Sequence, residues 1–318
     1  MGSVGLSDIS IKCGNPALFE PPGWGYYLDM RPAIELVESG YHGPIDDEGV
    51  PLTRLAPGQE HYSSSTIGQY AIALNERALA EGRSQELDRK IQAQLNVLIR
   101  IVESSGDWRG FFLCGWNNNK YPELRAPWVS ALSQGVAISA LVRGHRLFAD
   151  ESLLQMAGCC FDALDRPIDR GGVKFVDSCG HLWFEEYPTS PPLHVLNGFI
   201  FALWGVLDYA KATGSDKAWN WWREGVETLK AHVADFDCGY WSVYDLEYRE
   251  LVSMHYQVNL HIPQLEAMHL LTGERCFSHY AIRWRSFSKS LWRRCLWWGA
   301  LRVHARRRAM RARKIGGK

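Results

Sequence analysis

The strongest constraint on this chain is the arrangement of its apolar residues, which recur at helical spacing in consecutive pairs of segments with short extended stretches between the pairs. Behind a Ser/Thr cluster at Ser64, residues Ile67, Tyr70, Ala71 and Leu74 fall at i, i+3, i+4 and i+7, the stripe of a helix packed on one face. Glu86–Val102 continues the pattern through Leu87, Ile91, Leu95, Leu98, Ile99 and Val102 and stops at Ser105-Gly106-Asp107. Trp128–Phe148, with small residues on one face, is partnered by Glu151–Leu164. Leu193–Thr213, ended by Gly214, is partnered by Lys217–Phe236. Ile262–Leu271 and Cys276–Ser290 are split by Thr272-Gly273. Between pairs, Trp108–Trp116 reads as a strand pair or loop, Gly171–Phe184 as a hairpin and Tyr240–Leu251 as extended chain. No strand-helix-strand alternation is present. The expected fold is mainly α, an (α/α) toroid of helical hairpins with short β-hairpin excursions, whose inter-pair loops gather on one rim. The expected organisation is an irregular, Gly/Pro-rich N-terminal arm over 1–60 packed on the toroid, the toroid itself over 61–290, and a tail over 291–318.

At 318 residues and 46% hydrophobic content the chain can bury a full core. Its 14 Trp, 13 Tyr and 12 Phe mostly serve that core, leaving a minority to line a groove. The formal net charge is zero, yet thirteen Lys/Arg and no acid fall between Arg283 and Lys318, so the body is acidic and the tail basic. Leu291–Arg302 alternates aromatic and basic residues, and Arg306-Arg307-Arg308 follows. That composition fits either a solvated tail or peripheral docking on a membrane surface; no nucleic-acid-binding fold accompanies it. The eight cysteines form no CxxC pair and no Cys/His set with zinc spacing, and read as reduced thiols. No apolar run approaches the roughly 20 residues of a membrane span, and Met1–Gly5 opens no signal peptide. The expected location is the cytoplasm or the periphery of an inner membrane. Oligomeric state stays open, a homodimer included.

Three segments carry chemistry. Trp183–Pro192 places Glu185, Glu186 and Tyr187 where a strand turns toward a helix, stiffened by Pro188, Pro191 and Pro192, with Asn197 and Gly198 early in that helix. A Pro-rich turn before a helix is the plainer reading. Tyr240–Arg249 would set Tyr240, Ser242, Tyr244, Leu246 and Tyr248 on one face at period two, or form an ordinary aromatic ladder. His255, Tyr256, Asn259 and His261 cluster just before a helix.

Taken in order, these segments resemble the D-glucuronyl C5-epimerase family. The likeness rests on Glu185-Glu186-Tyr187-Pro188, on Val195-Leu196-Asn197-Gly198-Phe199-Ile200, on Tyr244-Asp245-Leu246 and on Leu260-His261-Ile262 with Gln264-Leu265. Upstream it extends to Trp128–Gly135 with Ile138-Ser139, to Thr66–Ala71 and to Tyr26–Asp29. The resemblance implies an (α/α) toroid that inverts carbon 5 of D-glucuronate to L-iduronate within a heparosan-like polysaccharide, an anionic polymer, with no cofactor and no metal. It implies Glu186, Tyr187, Tyr244 and Tyr256 as catalytic residues and Asn197 as a substrate contact; Arg249, His261, Trp128 and Gln134 are expected as further substrate-binding residues.

The chemistry requires such groups. Removing the proton beside the carboxylate builds charge that preorganised donors must hold, and inversion needs a proton from the opposite face. Glu186 is the expected base and Tyr256 the expected donor across the sugar, with Tyr187, Tyr244, Asn197 and His261 orienting it. Two positions depart from the family. Glu247 stands where the family carries an arginine after Tyr-Asp-Leu, the nearest arginine being Arg249, and Tyr256 precedes His261 by five residues where four are usual. A uronate lyase or glycoside hydrolase on the same fold, or a non-catalytic glycan-binding protein, are the alternatives.

Overall fold

The computed structural model describes residues 9–56 and 58–301. The N-terminal arm holds an antiparallel pair β1 (Lys12–Cys13) and β2 (Leu28–Asp29), helix α1 (Pro32–Glu38), and a second antiparallel pair β3 (Leu52–Ala56) and β4 (Gln59–Tyr62). Four helical hairpins follow. The first is α2 (Ser64–Glu81) with α3 (Gln85–Ile101), the second α4 (Ala131–Phe148) with α5 (Glu151–Ala163). The hairpin β5 (Lys174–Val176) and β6 (Leu182–Phe184) leads to α6 (Leu196–Thr213) with α7 (Asp216–His232). The fourth begins with one turn, α8 (Met254–Tyr256), passes through a π-helical segment, Gln257–His261, into α9 (Ile262–Thr272), and returns as α10 (Arg275–Lys289). A last helix, α11, covers 291–301.

Composition decides which helix of each pair lies inside. Helices α4 and α6 are buried nearly all round and can only be core elements, whereas α3, α7 and α10 alternate buried and exposed residues and form the outer layer. Helix α2 packs on α4, α4 on α6, and α6 on the π segment that opens α9. Helix α9 meets β1 and β2, and α1 lies on α2, so the arm fills the space between the last and first inner helices. The result is an (α/α) toroid. Small residues set the inner spacing: a Cβ on Gly205 of α6 would stand 2.5 Å from Gly135 Cα of α4, so the backbones touch where Leu or Val would hold them apart. Side-chain caps at Ser84, Asp150 and Ser215 start the outer helices, and left-handed Gly214 and Gly273 end α6 and α9.

Three expectations shift. Helices expected from Trp128 and Leu193 begin at Ala131 and Leu196, because Trp128 pairs with Cys114 and Val195 with Asp245 as isolated bridges. Tyr240–Leu251 is not a strand with one tyrosine face. It turns over at 246–248, where the buried Asp245 accepts from the Tyr248 N–H, and its partners change along its length. All eight cysteines are free. Among the described residues no helix is long and apolar enough to cross a membrane. In α11, Trp297 stacks on Trp241 at 5.0 Å and donates to Val252 O, while Leu291, Trp292 and Trp298 stay exposed. Met1–Gly5 and the Arg306–Arg308 run lie outside the described residues.

Candidate active site

The N-terminal ends of α4, α6 and α9 converge beneath the end of the β5–β6 hairpin, and the carboxylates of that hairpin divide the work. Glu185 is locked into the scaffold. Its N–H donates to Val173 O (2.7 Å), its carbonyl accepts from Ala131 N (3.0 Å), and its carboxylate accepts from His194 N (3.0 Å) and faces His194 Nδ1 (2.6 Å). Pinning one glutamate turns the next the other way, so Glu186 points at the start of α6. Only glycine fits opposite: a Cβ on Gly198 would collide with the Glu186 carboxylate.

Glu186 is buried, 6% exposed. Its Oε1 accepts from Tyr244 OH at 3.1 Å, and Tyr244 OH lies 3.5 Å from Tyr187 OH. Its Oε2 is buried without a hydrogen-bond partner among the described residues. Burial pushes the carboxyl up to about 7, against the opposing pull of hydrogen bonds from Tyr187 and Tyr244 and of the Lys120 charge. Tyr244 arrives because Leu196 N donates to its carbonyl and Leu246 N to Leu193 O, zipping this loop onto the start of α6. Burial, and then the Glu186 charge, holds the phenols of Tyr187, Tyr244 and Tyr256 well above their ordinary value, so all three stay protonated near neutral pH.

Tyr256 lies edge-on to Tyr244 at 5.8 Å and to His261 at 5.2 Å. Hydrogen bonding from Tyr244 and Asn197 favours its ionised form. The five-residue spacing from Tyr256 to His261 finds its reason here. The π segment Gln257–His261 absorbs one residue within the helix, and both rings end on one face. His261 is fully buried. Gln257 Oε1 accepts the Ser242 N–H and hydroxyl, so Ser242 Oγ accepts from His261 Nδ1 at 3.1 Å. The proton therefore sits on Nδ1, and Nε2 is a bare acceptor without a partner among the described residues. Burial lowers this imidazole to about 3, so it is neutral. Asn197 Oδ1 is a third buried acceptor without a donor among the described residues.

The cation at this cluster is one that spacing did not single out. Lys120 Nζ stands 3.8 Å from the Tyr244 ring centroid and 3.2 Å from Glu250, and its charge lowers Glu186. An Asn118 side chain that accepts from the N–H groups of Lys120 and Tyr121 presents both residues. Tyr121 packs on Tyr187 at 4.7 Å. Arg249 is not brought here: it is exposed and donates to Asp235 O at 2.8 Å. Gln134 is also elsewhere, fully buried, with its Oε1 accepting from Phe112 N and its Nε2 donating to Gly110 O and Cys160 O. Its amide is consumed in tying that loop and α5 to α4. Trp128 borders the cluster, its ring 5.8 Å from Tyr187 and its Nε1 donating to Trp116 O. Beyond Trp116 lies an open depression of about 740 Å³ lined by Gln59, Glu60, His61, Asn117 and Asn119 among others.

The arrangement unites a carboxyl poised near neutrality, protonated phenols, a lysine and three unpaired acceptors. Residues 103–286 match the family described as D-glucuronyl C5-epimerase C-terminus. The chain is 30% identical over 177 residues to an uncharacterized protein of Methanocaldococcus jannaschii, covering 54% of this chain and 56% of that one. It is 32% identical over 133 residues to the D-glucuronyl C5-epimerase of Caenorhabditis elegans, covering 38% of this chain and 21% of that protein. The match thus spans little more than half of one relative and a fifth of the other. A crystal structure of D-mannose isomerase shares the fold at a TM-score of 0.51 and 9% identity, over 81% of this chain and 68% of that one. With the family match running through every segment of the cluster, the chain belongs to the D-glucuronyl C5-epimerase C-terminal family.

Proposed function

We propose that this protein inverts carbon 5 of glucuronate residues in a polysaccharide, with a heparosan-like chain as substrate. The observation that carries the reading is Glu186: a buried carboxyl near pKa 7, hydrogen-bonded by Tyr187 and Tyr244, with one oxygen unpartnered among the described residues. A general base works best when its pKa matches ambient pH.

The ionised Glu186 takes the proton from carbon 5, and the electron pair of that C–H bond flows into the uronate carboxylate. The resulting dianion is held by Lys120. Tyr256 returns a proton to the opposite face of carbon 5, which leaves a neutral glutamic acid and a phenolate. Tyr244, bonded to Glu186 and packed on Tyr256, passes the proton between them and resets the pair. Asn197 Oδ1 and His261 Nε2 accept sugar hydroxyls, which supply the donors these buried atoms lack. The depression beyond Trp116 fits the path of the flanking polymer. Leu291, Trp292 and Trp298 beside Arg293 and Arg294 favour peripheral contact of α11 with an anionic membrane surface.

Incubation with heparosan followed by proton NMR tests the reading. Iduronate signals, with chain length unchanged and no ultraviolet absorbance from an unsaturated uronate, are expected. Absorbance of that kind would identify a lyase, and shortened chains a hydrolase.

A further inference from the structure

Away from the Glu186 cluster, the turn of the β5–β6 hairpin meets the end of α7 in a group of three side chains. Asp177 Oδ2 lies 3.2 Å from His181 Nδ1 and 3.6 Å from His232 Nε2, and the two ring nitrogens are 3.0 Å apart. Four ligands held at 2.0–2.2 Å in a tetrahedron stand roughly 3.3–3.6 Å from one another. The three distances lie within about 0.3 Å of that spacing, and all three residues are partly exposed, which leaves an entry path.

Two of the donors are preset. Asp177 Oδ1 is occupied by the N–H groups of Cys179 (2.8 Å) and His181 (2.9 Å), which leaves Oδ2 facing the histidines, with Trp183 Nε1 3.4 Å away. Asp235 Oδ2 sits 2.9 Å from His232 Nδ1. That carboxylate keeps the proton on Nδ1, so Nε2 turns its lone pair into the group. A carboxylate behind an imidazole is the arrangement that orients metal-bound histidines. Two imidazoles with one carboxylate suit zinc and its neighbours, whereas calcium and magnesium require six or more oxygen-type ligands.

We propose that Asp177, His181 and His232 form a binding site for a divalent transition-metal ion, zinc foremost, with Asp235 orienting His232 and the fourth position open to water. The ion ties the hairpin turn to the end of α7. Trp183 packs on His232 at 5.2 Å and stacks on His194 at 4.2 Å, and His194 holds Glu185, the neighbour of the reacting carboxylate. The bound ion therefore braces the hairpin that carries Glu186 without touching substrate.

The test uses the full chain stripped with EDTA and titrated with Zn²⁺ by calorimetry, with Co²⁺ as a spectroscopic stand-in. The expected result is one ion per chain, a higher melting temperature, and the strong visible bands of four-coordinate Co²⁺. His181→Gln and His232→Gln each abolish that uptake, and Asp235→Asn weakens it about 10–100-fold while all three ligands remain. Melting of the metal-free variants against metal-free wild type separates a lost ligand from a lost fold. If a variant does not fold, the Co²⁺ spectrum of the wild type decides alone. No stoichiometric uptake, six-coordinate Co²⁺, or uptake unchanged in both folded histidine variants would overturn the proposal and leave a hydrogen-bonded cluster only.

Discussion

The two ends of the inner helices treat buried charge in opposite ways. Asp208 of α6 and Arg143 of α4 lie twelve residues beyond the starts of their helices, about 18 Å along the axis. There Arg143 Nη1 donates to Asp208 Oδ2 at 2.6 Å, Tyr27 OH donates to Asp208 Oδ1 at 2.6 Å, and Arg143 Nη2 donates to Gly25 O at 3.1 Å. Charge is neutralised inside the protein, and the arm is fastened to the toroid. At the other end Glu186 has a tyrosine in contact and a cation, Lys120, over the Tyr244 ring, and Glu186 Oε2, Asn197 Oδ1 and His261 Nε2 have no donors among the described residues. A buried polar group left unmade costs about 1–3 kcal/mol. Arg143 Nε and Tyr26 OH at the first end also lack partners among the described residues, so what separates the ends is how the carboxylate is met: by a direct ion pair at Asp208, by a tyrosine hydrogen bond at Glu186. One end is scaffold, the other a site.

The comparison breaks first at Glu186. Glu186→Gln should lower epimerisation about 10²–10⁴-fold while leaving the melting temperature unchanged or higher, since it removes a buried charge; kinetics and calorimetry on the same sample check both. The wild-type rate should rise with pH through about 7 as Glu186 ionises. Stability follows the opposite sign. The folded-state pKa is raised, so this group's stabilising contribution is full below the unfolded carboxylate value of about 4.3 and is lost as pH rises through about 7. Glu186→Gln should remove that slope from a melting-temperature profile.

At the opposite end, Asp208→Asn should cost about 3–5 kcal/mol in denaturant unfolding, because it strands a buried guanidinium. Activity of the folded fraction should persist. Gly198→Ala tests the close approach between the ends of α6 and the hairpin: the added methyl displaces Glu186, at about 1–3 kcal/mol of stability and with a fall in turnover out of proportion to it. The smallest effect belongs to Arg249→Ala, within about 0.5 kcal/mol of wild type and with near-normal activity. Lys120→Met, by contrast, should raise the pH of the ascending limb, because the positive charge that lowers Glu186 is gone.

Helix pairing was legible because a helix half-buried in a toroid must repeat its apolar residues at 3.6, and the outer helices do. The glutamate-tyrosine turn and Asn197-Gly198 were legible because short sequence separation forces them together. What lay hidden depends on long-range contact. Lys120 sits in an Asn-rich turn that looks like any solvated loop, and it joins Tyr244 and Glu250 only after the chain has returned over a hundred residues later. Gln134 reads like a polar residue on a site helix, yet its position in the first turn of α4 gives it to three backbone groups. Likewise His181 and His232, 51 residues apart, share no local motif and meet through the packing of α7 on β6. The π segment was visible only as an odd spacing between Tyr256 and His261.

The most direct test of the central claim is exchange at carbon 5 in deuterated water, followed by proton NMR on a glucuronate polymer with wild type and Glu186→Gln side by side. The account predicts loss of the carbon 5 proton signal with wild type and its retention with the folded variant. Exchange that proceeds equally in Glu186→Gln would contradict it.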